Sequence, residues 1–307
     1  MAIVLQETLR AVFYAPFYAA IALGAYEQEG LDVRLTRAPK PADSAVGLFT
    51  GVVDVAWGGP MRVMLTRDRD ADSDLVCFAE VVTRDPFFLV GSAARPDFRL
   101  QDLVAKRLGA VSEVPTPWLC LQEDLRRVGL DPAVVRRGPE RAMAENLAAL
   151  RRGELEVAQL FEPFVEEALI GGAHLWYAAA QRGPTSYTCL YARRAVFEDR
   201  LDEMKAMTRA LYRTQKWLAG AAPATVAQAV APYFPEVPAR VLTASLARLK
   251  SVGVWGRDPR LPRAGYERLK AGLLSGDLIR AAIPYEDAVD NTLALDVMRE
   301  DPPALMA

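Results

Sequence analysis

The stretch from Arg10 to Val33, RAVFYAPFYAAIALGAYEQEGLDV, constrains the fold more than any other part of the chain. A short apolar strand, Ile3-Val4-Leu5, stands before it. The stretch opens with four aromatic residues, Phe13, Tyr14, Phe17 and Tyr18, around Pro16. Ala19, Ala20, Ala22 and Leu23 then follow helical spacing, with Gly24 near the helix end. Leu31-Asp32-Val33-Arg34-Leu35 alternates like a half-buried strand. The unit is therefore strand, aromatic loop, helix, strand. In open α/β sheets, ligands bind beyond the carboxyl ends of strands, where such a loop sits. The loop is aromatic where a connection is ordinarily polar, which marks it as one wall of a ligand pocket. Some of its rings would instead pack the helix onto the sheet.

The same alternation continues downstream. Ala42 to Thr50 reads as a short helix stopped by Gly51, and Val52 to Trp57 as a strand ending in Gly58-Gly59-Pro60. Glycines at a strand end let the backbone come close to a ligand, and the first-turn amides of the next helix, Met61 to Thr66, face the same crevice. Leu75 to Val82 and Phe87 to Val90 are apolar strands, and Pro86 favours an extended chain between them. Leu100 to Ala105 reads as a helix and Arg107 to Val111 as a strand. The hydroxyl-bearing loop Ser112 to Thr116 then leads into a helix from Trp118 to Val128, with Pro117 suited to its first turn. A helix from Arg141 to Arg152, a strand from Glu156 to Phe161, Glu162-Pro163 and a helix from Phe164 to Ile170 come next. Ser186 to Tyr191 is the last strand, and from Arg193 onward the pattern is mostly helical. Two βα-rich stretches followed by a helical tail fit a doubly wound α/β architecture.

A chain of 307 residues suggests two domains of ordinary size. A net charge of −2 and the absence of a long basic run argue against a nucleic-acid partner. Cys77, Cys120 and Cys189 lie far apart in apolar settings, as buried small hydrophobes do. His174 is the single histidine, which excludes a His-rich metal site and disfavours a catalytic triad. No cofactor or metal is expected. No stretch approaches about 18 uninterrupted apolar residues, so no membrane span is expected. Core sequence already begins at Ile3 with no apolar leader before it. The expectation is a cytoplasmic protein if Met1 is the native start, or a periplasmic or extracellular one with its leader removed.

The order of segments resembles the substrate-binding proteins of ABC importers, in the branch that binds thiamine pyrimidine precursors, aliphatic sulfonates, taurine and nitrate. Fungal thiamine-pyrimidine synthases share this branch. YAPFYAAIALGAYEQEGLDV resembles the family's opening helix, and GVVDVAWGGP its Gly-x-x-Asp strand and turn. LQDLVAKRLGAVSEVPTPW and LRRGELEVAQLFEPFVEEAL resemble two segments of its second domain. Together these segments cover most of residues 1 to 190. The resemblance implies an α/β type 2 periplasmic-binding-protein fold, two lobes joined by a two-stranded hinge with the ligand between them. Lobe I would hold residues 1–84 and 190–307, and lobe II residues 85–189. The crossings would fall at Thr83 to Phe87 and Thr185 to Leu190.

Carried over by position, the cleft would be lined by Arg10, Phe13 and Tyr14, by Trp57, Gly58 and Gly59, and by Thr83 and Arg84. Pro115, Thr116 and Trp118 would face them, with Glu162 and Tyr187. Tyr14 and Trp57 would stack a flat ring, and Glu162 would accept hydrogen bonds from an amino group. Arg10 or Arg84 would instead bind a carboxylate or sulfonate. Trp57 and Trp118 also fit a core role, and Arg10 a surface one. The cysteine-rich motif and internal histidine of the fungal synthases are missing, which argues against their self-sacrificing chemistry. The resemblance thus implies a non-catalytic receptor for a small aromatic or heterocyclic compound, pyrimidine-like, or for an organic anion such as a sulfonate or carboxylate. Its partner would be an ABC transporter membrane permease. The alternatives are an enzyme on the same fold, of decarboxylase or thiamine- or menaquinone-pathway type, with Glu162 and Tyr14 or Tyr187 as its acid and base, or a cytoplasmic sensor module.

Overall fold

The computed structural model describes residues 2–104 and 106–306. Among the described residues ten strands form two separate mixed sheets. They are β1 (Ile3–Glu7), β2 (Val33–Arg37), β3 (Val55–Gly58), β4 (Leu75–Val82), β5 (Phe88–Gly91), β6 (Arg107–Gly109), β7 (Arg136–Arg137), β8 (Val157–Leu160), β9 (His174–Ala178) and β10 (Thr188–Arg193). The first sheet has the order β2-β1-β3-β10-β4 and the second β7-β6-β8-β5-β9. In each sheet the fourth strand alone runs against its neighbours: β10 is antiparallel to β3 and β4, and β5 to β8 and β9. That reversed strand is the one by which the chain enters or re-enters its sheet. The chain leaves the first sheet after Val82, enters the second at Phe88, and returns between Ala178 and Thr188.

Burial follows from this topology. Central strands covered on both faces read as near-continuous apolar runs, and every residue of β3, β5 and β8 is buried; β4, at the sheet edge, is buried as well because residues 254–259 run along it. The edge strand β7 is two exposed arginines, a short charged edge that resists further pairing. The helix from Ala15 to Ala22 is buried along most of its length and packs on the long helix Leu201–Gly220.

The C-terminal helices reach across to the second sheet's helices. Ala239–Ser251 packs on Phe164–Ile170, and Arg263–Ser275 packs on Thr116–Arg127. The chain pattern anticipates most of these elements but not the strands β7 and β9, and the helical tail is broken at Arg200, between Arg194–Asp199 and Leu201–Gly220. Leu100–Leu103 is a single 3-10 turn, and the expected continuation to Ala105 reaches a residue outside those described.

Candidate functional site

A narrow cavity of about 40 Å³ lies between the two sheets. From the first sheet it takes Thr8 and Leu9 after β1, Phe13 and Tyr14 from the aromatic loop, and Gly58, Gly59, Met61 and Arg62 after β3. Val114, Thr116 and Phe161 come from the other side, and Phe87 and Tyr187 from the connecting segments.

The aromatic loop is held from behind. Trp255 Nε1 donates to the Phe13 carbonyl oxygen at 2.8 Å. Phe17 stacks on Trp57 at 4.7 Å between ring centroids, and the Tyr18 hydroxyl donates to the buried Glu7 at 2.7 Å. Phe13 is thereby turned toward Phe161 (5.3 Å, edge to face), and Phe161 toward Phe87 (5.3 Å). Rings from both sides of the cleft therefore meet and form an apolar floor.

The opposite wall is backbone and cation. Close approach requires both glycines after β3. A Cβ on Gly58 would stand 2.8 Å from Thr8 Oγ1, and one on Gly59 would stand 3.1 Å from the Tyr187 carbonyl oxygen. The ten-residue helix Pro60–Arg69 starts there, with no side-chain cap and no acidic residue in its first turn. The helix Thr116–Arg127 likewise starts at the cavity, uncapped and without a first-turn acid. Both helix starts bring the positive end of a dipole to this region, although Pro60 and Pro117 carry no N–H and the Arg62 N–H donates to the Gly59 carbonyl oxygen at 2.8 Å. Arg62 adds a full charge. Its guanidinium donates to the carbonyl oxygens of Pro41 (2.8 Å) and Ala42 (3.4 Å) and, among the described residues, pairs with no carboxylate. Burial lowers its pKa from the ordinary arginine value. No Asp or Glu lines the cavity among the described residues. The Tyr187 hydroxyl is buried there without a hydrogen-bond partner, and burial raises its pKa well above the ordinary value.

Of the positions singled out from sequence, Phe13, Tyr14, Gly58, Gly59, Thr116 and Tyr187 come together around this cavity. Trp57 does not line it: fully buried, it backs the aromatic loop through Phe17. Trp118 packs in the second sheet's core beneath the Arg137 guanidinium, 4.7 Å from its ring centroid. Pro115 is exposed, one residue outside the helix start. Arg10 is tied to Glu7 at 2.6 Å and to the Tyr233 carbonyl oxygen at 3.1 Å, and it lines an adjoining hollow that shares Leu9 and Phe161 with the cavity. Thr83 and Arg84 face a different hollow, beside residues 253–262.

Glu162 is engaged elsewhere. Its carboxylate is fully buried, accepts from Ser245 Oγ (3.0 Å) and the Glu166 N–H (3.1 Å), and pairs with Arg248 of the helix Ala239–Ser251. Burial raises its pKa, opposed by Arg248. It is a strut between the second sheet and a C-terminal helix, and it does not line the cavity described above.

Sequence reasoning missed Thr8, Leu9, Met61, Arg62, Phe87, Val114 and Phe161. Arg62 had a signal, since it sits in the first turn of the helix whose amides were expected to face the crevice. Phe87 and Phe161 read as ordinary strand residues. Among the described residues no group of His, Cys, Asp or Glu is arranged to hold a metal, and no helix is long and apolar enough to cross a membrane.

Residues 13–221 match the family model described as NMT1/THI5 like. The putative binding protein YtlA of Bacillus subtilis (strain 168) is 24% identical over 299 residues, covering 96% of this chain and 89% of its own length. The periplasmic aliphatic sulphonate binding protein SsuA from Escherichia coli superposes with a TM-score of 0.75 at 15% identity, over 92% of this chain and 94% of that one. The desulfurization enzyme DSZB superposes with a TM-score of 0.66 at 14% identity, over 98% of this chain and 100% of that one. Identities this low carry the fold, which is that of the periplasmic binding proteins, two α/β lobes with a cleft between them. With two thirds of its length matched by the model, the chain belongs to the NMT1/THI5-like family.

Proposed function

We propose that this protein is the solute-binding receptor of an ABC importer and that it holds a small organic anion with an apolar body, of the sulfonate or carboxylate class, between its sheets. One observation carries the reading: the cavity presents an arginine without an acidic partner and two uncapped helix starts, and no carboxylate lines it among the described residues. Such a wall favours a compact oxyanion, because charge-assisted hydrogen bonds to an ionised acceptor are the stronger ones. Phe13, Phe87 and Phe161 would cover the apolar body, with Tyr14, Thr116 and Tyr187 supplying hydroxyls. A neutral, amino-bearing pyrimidine is disfavoured, since Glu162 is committed to Arg248.

Residues 1–84 with 190–307 would move as one body and 85–189 as the other, closing about the two connecting segments. The relatives described as binding components of import systems support a membrane permease as partner and a location outside the cytoplasmic membrane.

The test is a thermal-shift panel of alkyl and aryl sulfonates, taurine, nitrate, aromatic carboxylates and neutral pyrimidines, followed by calorimetric titration and product analysis. Sulfonates or carboxylates should raise the melting temperature and be recovered unchanged, with about 2.7 kcal/mol of added stability at a hundredfold excess over Kd. A response confined to neutral heterocycles refutes the anion reading. Conversion of the ligand would favour an enzyme.

A further inference from the structure

The segment from Val254 to Arg260 runs along the free edge of β4. The Thr83 N–H donates to Val254 O (2.9 Å), the Gly256 N–H to Val81 O (2.9 Å) and the Glu80 N–H to Pro259 O (2.8 Å). Beside this seam opens a hollow of about 380 Å³ that shares no residue with the cavity between the sheets. Arg84 enters it from the first connecting segment, and Arg257 and Arg260 from the seam. Among the described residues none of the three pairs with a carboxylate.

Glu80 lies at the base of the hollow. It is 1% exposed, and neither carboxyl oxygen has a hydrogen-bond partner. It follows Ala79, which takes a left-handed conformation (φ 50°) where β4 bulges against β10. Asp258 is the other acid in the hollow, and its Oδ1 accepts the Arg260 N–H at 3.0 Å.

We propose that this hollow is a second binding site, for a doubly charged oxyanion of the phosphate type. Three guanidinium groups against one ionised carboxylate leave an excess of two positive charges, which a dianion neutralises and a singly charged ion does not. Guanidinium forks match tetrahedral oxyanions, taking two oxygens each. Burial pushes the Glu80 carboxyl up to about 8, against a smaller opposing effect of the Ser186 hydroxyl, so at neutral pH it mostly keeps its proton and donates rather than repels. A buried carboxyl with no partner inside the protein is otherwise costly to retain.

The site is also placed to influence the cleft. Arg84 belongs to the connecting segment and Arg257 and Arg260 to the seam, so a bound dianion ties the two together. Trp255 lines the hollow, and its indole N–H holds Phe13, a wall of the cavity between the sheets. Coupling of the two sites is reciprocal by linkage.

The experiment is calorimetric titration of the full chain with inorganic phosphate at pH 7 in a low-salt Tris buffer, on the parent and on Arg257→Gln/Arg260→Gln. Both arginines are exposed, so the double variant folds. The parent should bind saturably, and the double variant at least tenfold more weakly, since one charge-assisted hydrogen bond is worth about 1.5 kcal/mol or more. Glu80→Gln keeps a donor and should bind within roughly threefold of the parent, about 0.7 kcal/mol. Absence of saturable binding up to roughly 10 mM phosphate, a range that would still reveal millimolar Kd values, overturns the proposal. Equal binding by the double variant overturns it as well, because the anion would then sit elsewhere.

Discussion

Replacing Arg62 by methionine separates the charge of the cavity wall from its shape. Methionine keeps the unbranched stem and removes the guanidinium. In the parent that group donates to two neutral carbonyls, Pro41 at 2.8 Å and Ala42 at 3.4 Å, and meets no carboxylate among the described residues. An arriving oxyanion would be its first counter-charge. Unit charges about 4 Å apart attract by about 4 kcal/mol at an effective dielectric of 20. Stripping water from both ions takes back part of this, leaving the 1.5–3 kcal/mol typical of a hydrogen bond to a charged group, as a rough guide. The Kd for an anionic ligand should rise by roughly 10- to 150-fold.

Stability should change little. The variant loses two hydrogen bonds of about 0.5–1.5 kcal/mol each and no longer has to keep an unpaired cation half-buried. The two effects oppose, so the urea midpoint should stay near the parent's. Titration calorimetry with one sulfonate and its neutral amide, at low and high salt, reads the result. The variant should lose anion affinity and its salt dependence while binding the amide like the parent. Equal loss for both ligands, or no loss for the anion, would refute the reasoning.

Other perturbations bear on the frame around the cavity. Arg248→Met strands the buried Glu162 carboxylate and should cost about 3–5 kcal/mol in urea unfolding, whereas Glu162→Gln leaves the partly exposed Arg248 paired with Glu166 and should cost less. Gly58→Ala places a Cβ 2.8 Å from Thr8 Oγ1, so it should destabilise by about 1–3 kcal/mol and weaken ligand binding in the same titration. Phe161→Ala opens the apolar floor, and a series of sulfonates of rising chain length should shift its preference toward longer tails. The Glu80 carboxyl keeps its proton in the fold up to about 8, whereas the unfolded chain releases it near its ordinary value. The native state therefore binds more protons between those limits. Its stability is greatest below them and falls as pH rises, by at most about 1.4 kcal/mol per unit. Urea midpoints from pH 5 to 8 should fall less steeply for Glu80→Gln.

The two-sheet fold was readable because strands buried on both faces are apolar runs, as in Phe88–Val90, and because the helices between them carry helical spacing. The strand β9 was not, since His174 and Leu175 are exposed and give no apolar run. Half of the cavity was legible for a similar reason: glycines after a strand and rings in a loop are out of place locally. Trp57 and Trp118 looked equally suited to a ligand, but a large ring fills core and cleft alike, and which it does depends on neighbours remote in sequence. Glu162 shows the same limit most clearly. Its strand-end position was visible, while its partner Arg248 lies 86 residues away, on a helix whose placement no local pattern reveals.

A crystal structure with the tightest-binding sulfonate tests the central claim most directly. The account predicts the sulfonate oxygens against Arg62 and the starts of helices 60–69 and 116–127, with the apolar body among Phe13, Phe87 and Phe161. A ligand seated outside this cavity, or one with its charged group buried among the rings and away from Arg62, would contradict it.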